Sequence, residues 1–245
     1  MRLAIISDIH GNLTALETAL ADIRAASPDQ IVFLGDIADR GPQPHEVVQC
    51  VQSLNCPAVM GNTDDLLVSP PSATELNKQA EVPFWGMIQW CRTQLSDDDL
   101  AFMRTFQPTL TISLENGQKL LCYHGSPRSN MDRIWASTPD DDLKAMLGQQ
   151  TAPIMIGGHT HLPLFRRLHD QIILNPGSIG LAFTPTPDRR ELNNNRAEYL
   201  ILTVERRRLS VEFRQVVYSL DHYIQKVQKS GMPSQDWWLP LWQEV

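Results

Sequence analysis

Seven histidines are spread along the chain, and four of them lie beside glycines or in glycine-bounded loops. The segments are Asp8-Ile9-His10-Gly11-Asn12, Gly35-Asp36, Gly61-Asn62, His124-Gly125 and Gly157-Gly158-His159-Thr160-His161. Each follows a short apolar run, so each reads as a strand end turning into a loop. Glycine beside a ligand removes Cβ bulk and permits positive φ, which lets the backbone bend around a small object. Residues two apart in an extended stretch face the same way, so Asp8 with His10, and His159 with His161, can each aim a pair of ligands into one space. The set holds two carboxylates (Asp8, Asp36), four imidazoles (His10, His124, His159, His161) and one amide oxygen (Asn62), with no thiolate. That is too many ligands for one tetrahedral ion. It suits two adjacent divalent ions that share a bridging carboxylate and keep room for water. Mixed nitrogen and oxygen ligation suits manganese, iron, zinc or nickel and argues against calcium and magnesium. Any one segment has an ordinary explanation as a cap or a packed histidine; five in order do not. His45, His169 and His222 lack this context and read as structural.

The elements that must position these loops are legible early in the chain. Arg2–Ser7 reads as a strand, Leu13, Leu16, Leu20 and Ile23 recur at helical spacing, and Gln30–Leu34 reads as a second strand. Pro42–Leu54 then reads as a helix and Cys56–Met60 as a third strand. Alternation of strand and helix implies a parallel sheet, with sites at the C-terminal ends of its strands. Asp64 to about Phe106 is mostly helical, with a break at Pro70-Pro71. Strand signals return at Thr109–Leu114, Lys119–Tyr123, Ala152–Ile156, Leu164–Leu168 and Ile172–Leu174. A helix is expected near Asp140–Leu147. Tyr199–Val204 and Leu209–Val216 form a hairpin around Arg206–Arg208, and Ser219–Lys229 a last helix. The second half is expected to add mostly antiparallel strands, giving two packed sheets with helices outside. Asn175-Pro176-Gly177-Ser178 reads as a turn, Asp97–Asp99 as a helix N-terminus, and Arg206–Arg208 as a solvated tip.

Composition narrows the class. The chain has 245 residues, 42% hydrophobic and 20% charged, with a formal charge of -7. No linker divides it, so we expect one domain over residues 1–245, with a helical insert at about 64–106 and a hairpin, helix and Trp-rich tail at about 198–245. The acidic balance disfavours nucleic acid as a default partner. No apolar run approaches the roughly 20 residues that cross a bilayer. The first residues turn polar too early for a secretory leader. Cys50, Cys56, Cys91 and Cys122 show no CxxC spacing and read as reduced thiols, so a cytoplasmic location is expected. The tryptophans of the tail could cover an edge, mediate a homodimer or pack down.

The ordered set D-x-H, GD-x-x-D-R, GN, H-G and GH-x-H resembles the calcineurin-like metallophosphoesterases, with motifs from Asp8 to His161. SDIHGN, NPGS and the C-terminal hairpin and helix are similar to the small prokaryotic phosphodiesterase-type members. Gly35-Asp36-Ile37-Ala38-Asp39-Arg40-Gly41 is instead similar to protein phosphatases and diadenosine tetraphosphatases. The resemblance implies a mixed α/β fold, a four-layer αββα sandwich. By motif position Asp8, His10 and His161 would bind one metal, Asn62, His124 and His159 a second, and Asp36 would bridge them. It also implies attack on phosphorus by a metal-bridging hydroxide, with manganese as the first-choice ion. The catalytic group would then be Asp36, Asn62 and His124 with that hydroxide.

One departure stands out. The family usually has a histidine after the Gly-Asn pair, where it assists the leaving group. Here the residue is Thr63, which cannot serve as a general acid near neutral pH. Asp39, the expected partner of that histidine, thereby loses its role, and Thr63→Ala should change little. Arg40 could clamp a phosphate or sit in a surface ion pair. Phe84 or Trp85 could stack on the substrate or simply pack within the insert. The expected activity is phosphodiester hydrolysis of a small substrate. The alternatives are a phosphomonoesterase or protein phosphatase, a dinucleoside polyphosphate hydrolase, or a non-catalytic metal-binding scaffold.

Overall fold

The strand Arg2–Ile6 (β1) is buried on both faces because it lies inside a sheet that is itself covered on both sides. The computed structural model describes residues 1–71, 83–185, 191–206 and 208–245. β1 pairs in parallel with Gln30–Phe33 (β2), as the strand–helix–strand pattern predicts. On its other side lies Arg196–Glu205 (β10), which runs antiparallel and bonds to the edge strand Arg208–Val217 (β11). Ala4 and Ile6 face one way and pack with Leu16, Ala19, Leu20 and Ile23 of the helix Leu13–Ala26 (α1). Leu3 and Ile5 face the other way, onto a second sheet. Burying side chains of that size stabilises by about 1.5–3 kcal/mol each, so β1 is held from both faces.

The second sheet has five strands. Leu110–Ser113 (β3) and Lys119–Cys122 (β4) form a hairpin, followed across the sheet by Ile154–Ile156 (β5), Gln171–Asn175 (β7) and Leu164–Leu168 (β6). Leu120, Cys122, Ile154, Ile156 and Leu174 point at the first sheet and share its cluster. Leu121, Tyr123, Met155 and Ile173 point outward and pack with Leu143 and Leu147 of the helix Asp140–Leu147 (α6). The first sheet's outer face is covered by α1, Pro44–Ser53 (α2), Asn62–Val68 (α3), Pro83–Gln94 (α4), Asp97–Met103 (α5) and Leu220–Ser230 (α7). The short helix Gln235–Trp238 (α8) closes that side.

Several expectations need correction. Cys56–Met60 is not a full strand. It follows β2 through backbone bonds from Phe33 N–H to Pro57 and from Val59 N–H to Phe33, with single bridges at Ala58 and Val59. Only a short length is within reach before the chain turns into α3. The second half adds mostly antiparallel pairs, as expected, although β4, β5 and β7 run parallel to one another. A third, small sheet was not foreseen. Phe183–Pro185 (β8), Glu191–Asn194 (β9) and Trp242–Gln243 (β12) are too short to show a period. The tail packs down: Trp238 and Trp242 are buried, and Trp238 Nε1 donates to the Tyr223 hydroxyl. Part of the insert, residues 72–82, and Arg207 of the hairpin tip lie outside the described residues.

Candidate metal centre

Five strand-end loops converge on one spot. The Asp8–Asn12 loop follows β1, Gly35-Asp36 follows β2, and Asn62 opens α3. His124 follows β4, and Gly157–His161 follows β5. The backbone is bent to an unusual degree there. Asp8, His10, Asp36, Arg40, His159 and His161 all have φ between 50° and 66°, left-handed values uncommon for residues with a Cβ. Such conformations cost of order 1–3 kcal/mol each and persist where the surroundings over-determine them. Two glycines make the approach possible. A Cβ on Gly61 would meet the Asp36 carboxylate, and one on Gly158 would meet Ser7 Oγ and the Asp8 carboxylate.

The side chains form two groups joined by Asp36. Asp8, His10 and His161 make the first: Asp8 Oδ1 is 3.2 Å from His161 Nε2, and His10 Nε2 is 3.0 Å from His161 Nε2. Asp36, His124 and His159 make the second, and Asn62 Oδ1 lies 3.0 Å from His124 Nε2. One oxygen, Asp36 Oδ2, is 3.4 Å from His124 Nε2 and 3.9 Å from His10 Nε2, and so addresses both groups. Its other oxygen accepts from Thr63 N–H at 2.9 Å.

The donor set fits a pair of cations. His10 Nδ1 is held by Asp39 Oδ1 at 2.5 Å, His124 Nδ1 by the Leu34 carbonyl at 2.7 Å and His161 Nδ1 by the Leu181 carbonyl at 3.0 Å. Those partners accept hydrogen bonds, so each Nδ1 carries the proton, and a neutral ring then turns its Nε2 lone pair inward. Asp8 Oδ1 and His159 Nε2 are buried with no hydrogen-bond partner. Lone pairs and carboxylate oxygens facing one another in a dry site are costly unless a cation sits among them. Without a cation, a proton on His124 takes the place between that ring and Asp36. Burial opposes charge on Asp36, yet the facing His124, His10 and His159 hold its carboxyl well below the usual range. Burial also opposes a proton on His124, but Asp36 and Asp8 push that ring up to about 10. His159 is driven down to about 4 by burial and by the His124 charge. Adding Mn²⁺ to chelator-stripped protein is therefore expected to raise its thermal midpoint. Ligand at 100 times its Kd adds about 2.7 kcal/mol, which is roughly 5–10 °C for a chain of this size. A melt that does not move at millimolar Mn²⁺ would count against the cation reading.

Supporting residues were only partly foreseen. The Asn175–Ser178 turn is more than a turn. Ser178 Oγ donates to the Asp8 carbonyl at 2.8 Å, and Asn175 Nδ2 donates to the Gly158 carbonyl at 2.6 Å, tying two of the loops together. Asn12 caps α1 through Ala15 N–H and donates to the Gly180 carbonyl. Asp64, read only as the start of the insert, accepts from the backbone N–H of Asp36, Ile37 and Gly61 at 2.8–2.9 Å. Burial, and then the Asp36 charge, push its carboxyl up to about 7. A carboxylate three residues after a glycine at a helix start is the signal that could have revealed it.

A cleft of about 280 Å³ opens onto the group. Arg40, Thr63, Phe84, Arg133, Trp135 and Phe183 line it together with Asp36, Asn62, His159 and His161. Phe84 reaches this cleft, and the Arg40 guanidinium lies 4.9 Å from its ring centre. Trp85 instead lines a separate apolar hollow with Leu66, Pro70 and Ile88. His45 is tied to Asp99, as a structural histidine would be.

A mixed α/β fold with paired histidine and carboxylate groups at its strand ends is the architecture of a metal-dependent phosphoesterase. The sequence matches the calcineurin-like phosphoesterase superfamily domain over residues 1–207, and the chain belongs to that family of phosphoric ester hydrolases. It is 28% identical to a metallophosphoesterase from Sphaerobacter thermophilus, with a TM-score of 0.74 and coverage of 96% of this chain and 95% of that one. A hypothetical protein from Pyrococcus horikoshii shares the fold at a TM-score of 0.80 with 20% identity, covering 96% and 95%. An uncharacterized protein of Methanocaldococcus jannaschii is 27% identical over 94% of this chain and 93% of its own. A symmetrical bis(5'-nucleosyl)-tetraphosphatase from Erwinia tasmaniensis is 28% identical over 62% of this chain and 54% of its own. No helix among the described residues is long and apolar enough to cross a membrane.

Proposed function

We propose that the chain is a metal-dependent phosphodiesterase acting on a small substrate. Asp8, His10 and His161 hold one divalent cation, Asn62, His124 and His159 hold a second, and Asp36 is shared. The observation that carries this reading is the convergence of these side chains, with three of the four imidazoles already hydrogen-bonded through Nδ1. Manganese is the first choice, and iron, zinc and nickel fit the same donors. When bound, such a pair supplies Lewis acidity and lowers the pKa of water from 15.7 towards about 7. The chain's own residues do the rest. Arg40 binds a phosphoryl oxygen, and Phe84, Trp135 and Phe183 hold the ester substituents and exclude water. The cleft is walled by α4, the loop after β4 and β8, and its volume of about 280 Å³ exceeds the size of a bare phosphate, which supports a substrate with bulky ester substituents.

Hydrolysis of a dinucleoside polyphosphate is a second reading. A second guanidinium, Arg133, in the cleft favours it, as does the similarity to the tetraphosphatase. Four free thiols are in keeping with a reducing cytoplasm. The test is elemental analysis of protein purified without chelator, followed by bis-p-nitrophenyl phosphate, p-nitrophenyl phosphate, cyclic nucleotides and dinucleoside polyphosphates with added Mn²⁺. About two metals per chain and preferential diester cleavage are expected. No metal and no hydrolysis would leave the scaffold reading standing.

A further inference from the structure

We propose that Asp39 is a positioning residue that fixes His10 and Arg40 together, a task unlike the leaving-group partnership its motif suggests. The proposal rests on the metal-dependent reading above. Asp39 is fully buried, and both of its oxygens are engaged. Oδ1 accepts from His10 Nδ1 at 2.5 Å and from the Thr63 hydroxyl at 2.8 Å. Oδ2 accepts from Arg40 Nε at 2.6 Å. The carboxylate thus touches a residue of the first metal group, a cationic residue of the cleft and the residue that replaces the expected histidine.

Two consequences follow from the geometry. A carboxylate acting only as an acceptor fixes the His10 tautomer with its proton on Nδ1, leaving Nε2 to face Asp8, Asp36 and His161. The Nε bond also sets the guanidinium orientation. Arg40 Nη2 rests 3.1 Å and 3.2 Å from the two nitrogens of the His10 ring, and its Cζ lies over Phe84. Arg40 is itself in the left-handed region at φ 62°, so its direction is set by these contacts and by the bend. Thr63 supplies the third donor in the space where a histidine would otherwise compete for Asp39. Introducing that histidine should therefore fail to restore leaving-group help, because its partner is already occupied.

The test compares wild type, Asp39→Asn, Arg40→Ala, the double variant and Thr63→His. In Asp39→Asn one oxygen becomes an NH₂ group that opposes a donor, either Arg40 Nε or His10 Nδ1. Mn²⁺ affinity, read by competition with a chelating dye, is expected to fall about 10–100-fold, the usual cost of losing the carboxylate behind a ligand histidine. KM should rise in Asp39→Asn and in Arg40→Ala, and the double variant should rise by much less than the product of the two. Thr63→His should give no gain on alkyl phosphate esters. In metal-free wild type, where no cation dictates the tautomer, ¹⁵N histidine spectra should show the His10 proton on Nδ1. That measurement needs no variant, so it decides the matter even if Asp39→Asn fails to fold. The proposal is overturned by Mn²⁺ affinity within twofold of wild type in folded Asp39→Asn, by multiplicative KM effects, by faster turnover in Thr63→His or by a His10 proton on Nε2. Failure of wild type to bind any metal would instead overturn the functional reading beneath it.

Discussion

Replacing Asp36 with Asn is expected to lower kcat/KM about 10³-fold or more and to reduce bound metal below two per chain. Thr63 N–H donates to Asp36 Oδ1, which orients any amide placed there with its carbonyl oxygen on that bond. The NH₂ group then takes the place of Oδ2, the atom that faces both His10 Nε2 and His124 Nε2. A donor with partial positive charge would point where two cations are proposed to sit. The change keeps shape and reverses the local electrostatics, so the loss is chemical and folding should survive. Removing a single preorganised group at a transition state costs about 10²–10³ in rate, and here the shared carboxylate of both groups goes as well. Steady-state kinetics with metal analysis on the purified variant checks this. Retention of more than a tenth of wild-type kcat/KM would show that Asp36 does not join the two groups.

The largest stability effect is expected for Asp64→Ala. Its carboxylate receives three backbone N–H groups, from Asp36 and Ile37 of one loop and Gly61 of another. Alanine would leave all three buried without partners. Each orphaned donor costs about 1–3 kcal/mol. The set shares one site and is not additive, so roughly 3–6 kcal/mol is expected. That is a large part of the 5–15 kcal/mol that usually holds a domain together. The midpoint should fall by roughly 6–24 °C. Asp64→Asn should recover part of the loss, because its oxygen can still accept two of the three. Calorimetry of both variants separates this from a mere helix-cap effect, which would cost about 1 kcal/mol and affect both variants alike.

The two variants also mark what the sequence discloses and what it hides. The convergence of Asp8, His10, Asp36, Asn62, His124, His159 and His161 was legible because candidate ligands are restricted in residue type and strand ends restrict position. β1, β2 and α1 were legible because apolar period and turn residues agree there. Asp64 was not, since a carboxylate that binds backbone N–H leaves no mark other than a helix-cap pattern. The partners of Asp39 were hidden for another reason. The motif around it pointed to a histidine that the chain lacks, and only the folded loops bring His10 within 2.5 Å. The supporting work of Asn175 and Ser178 is likewise a matter of packing, across 17 residues to Gly158 and 170 residues to Asp8. The small sheet of β8, β9 and β12 escaped because strands of two to four residues carry too few positions for a period.

The place of β10 beside β1 bears on how the protein is made. Leu3–Ile5 pair with Leu200–Leu202, and the Asp8 carbonyl is clasped by Ser178 and Gly180. A nascent chain that has emerged only as far as His161 would already carry every proposed ligand. It would still lack the strand and the clasp that bring the first two of them into line. Contacts this distant in sequence close late and slowly. Capture of the proposed cations is thus expected only once β10 has been made, and a chain that stops short of that strand lacks the frame around Asp8 and His10.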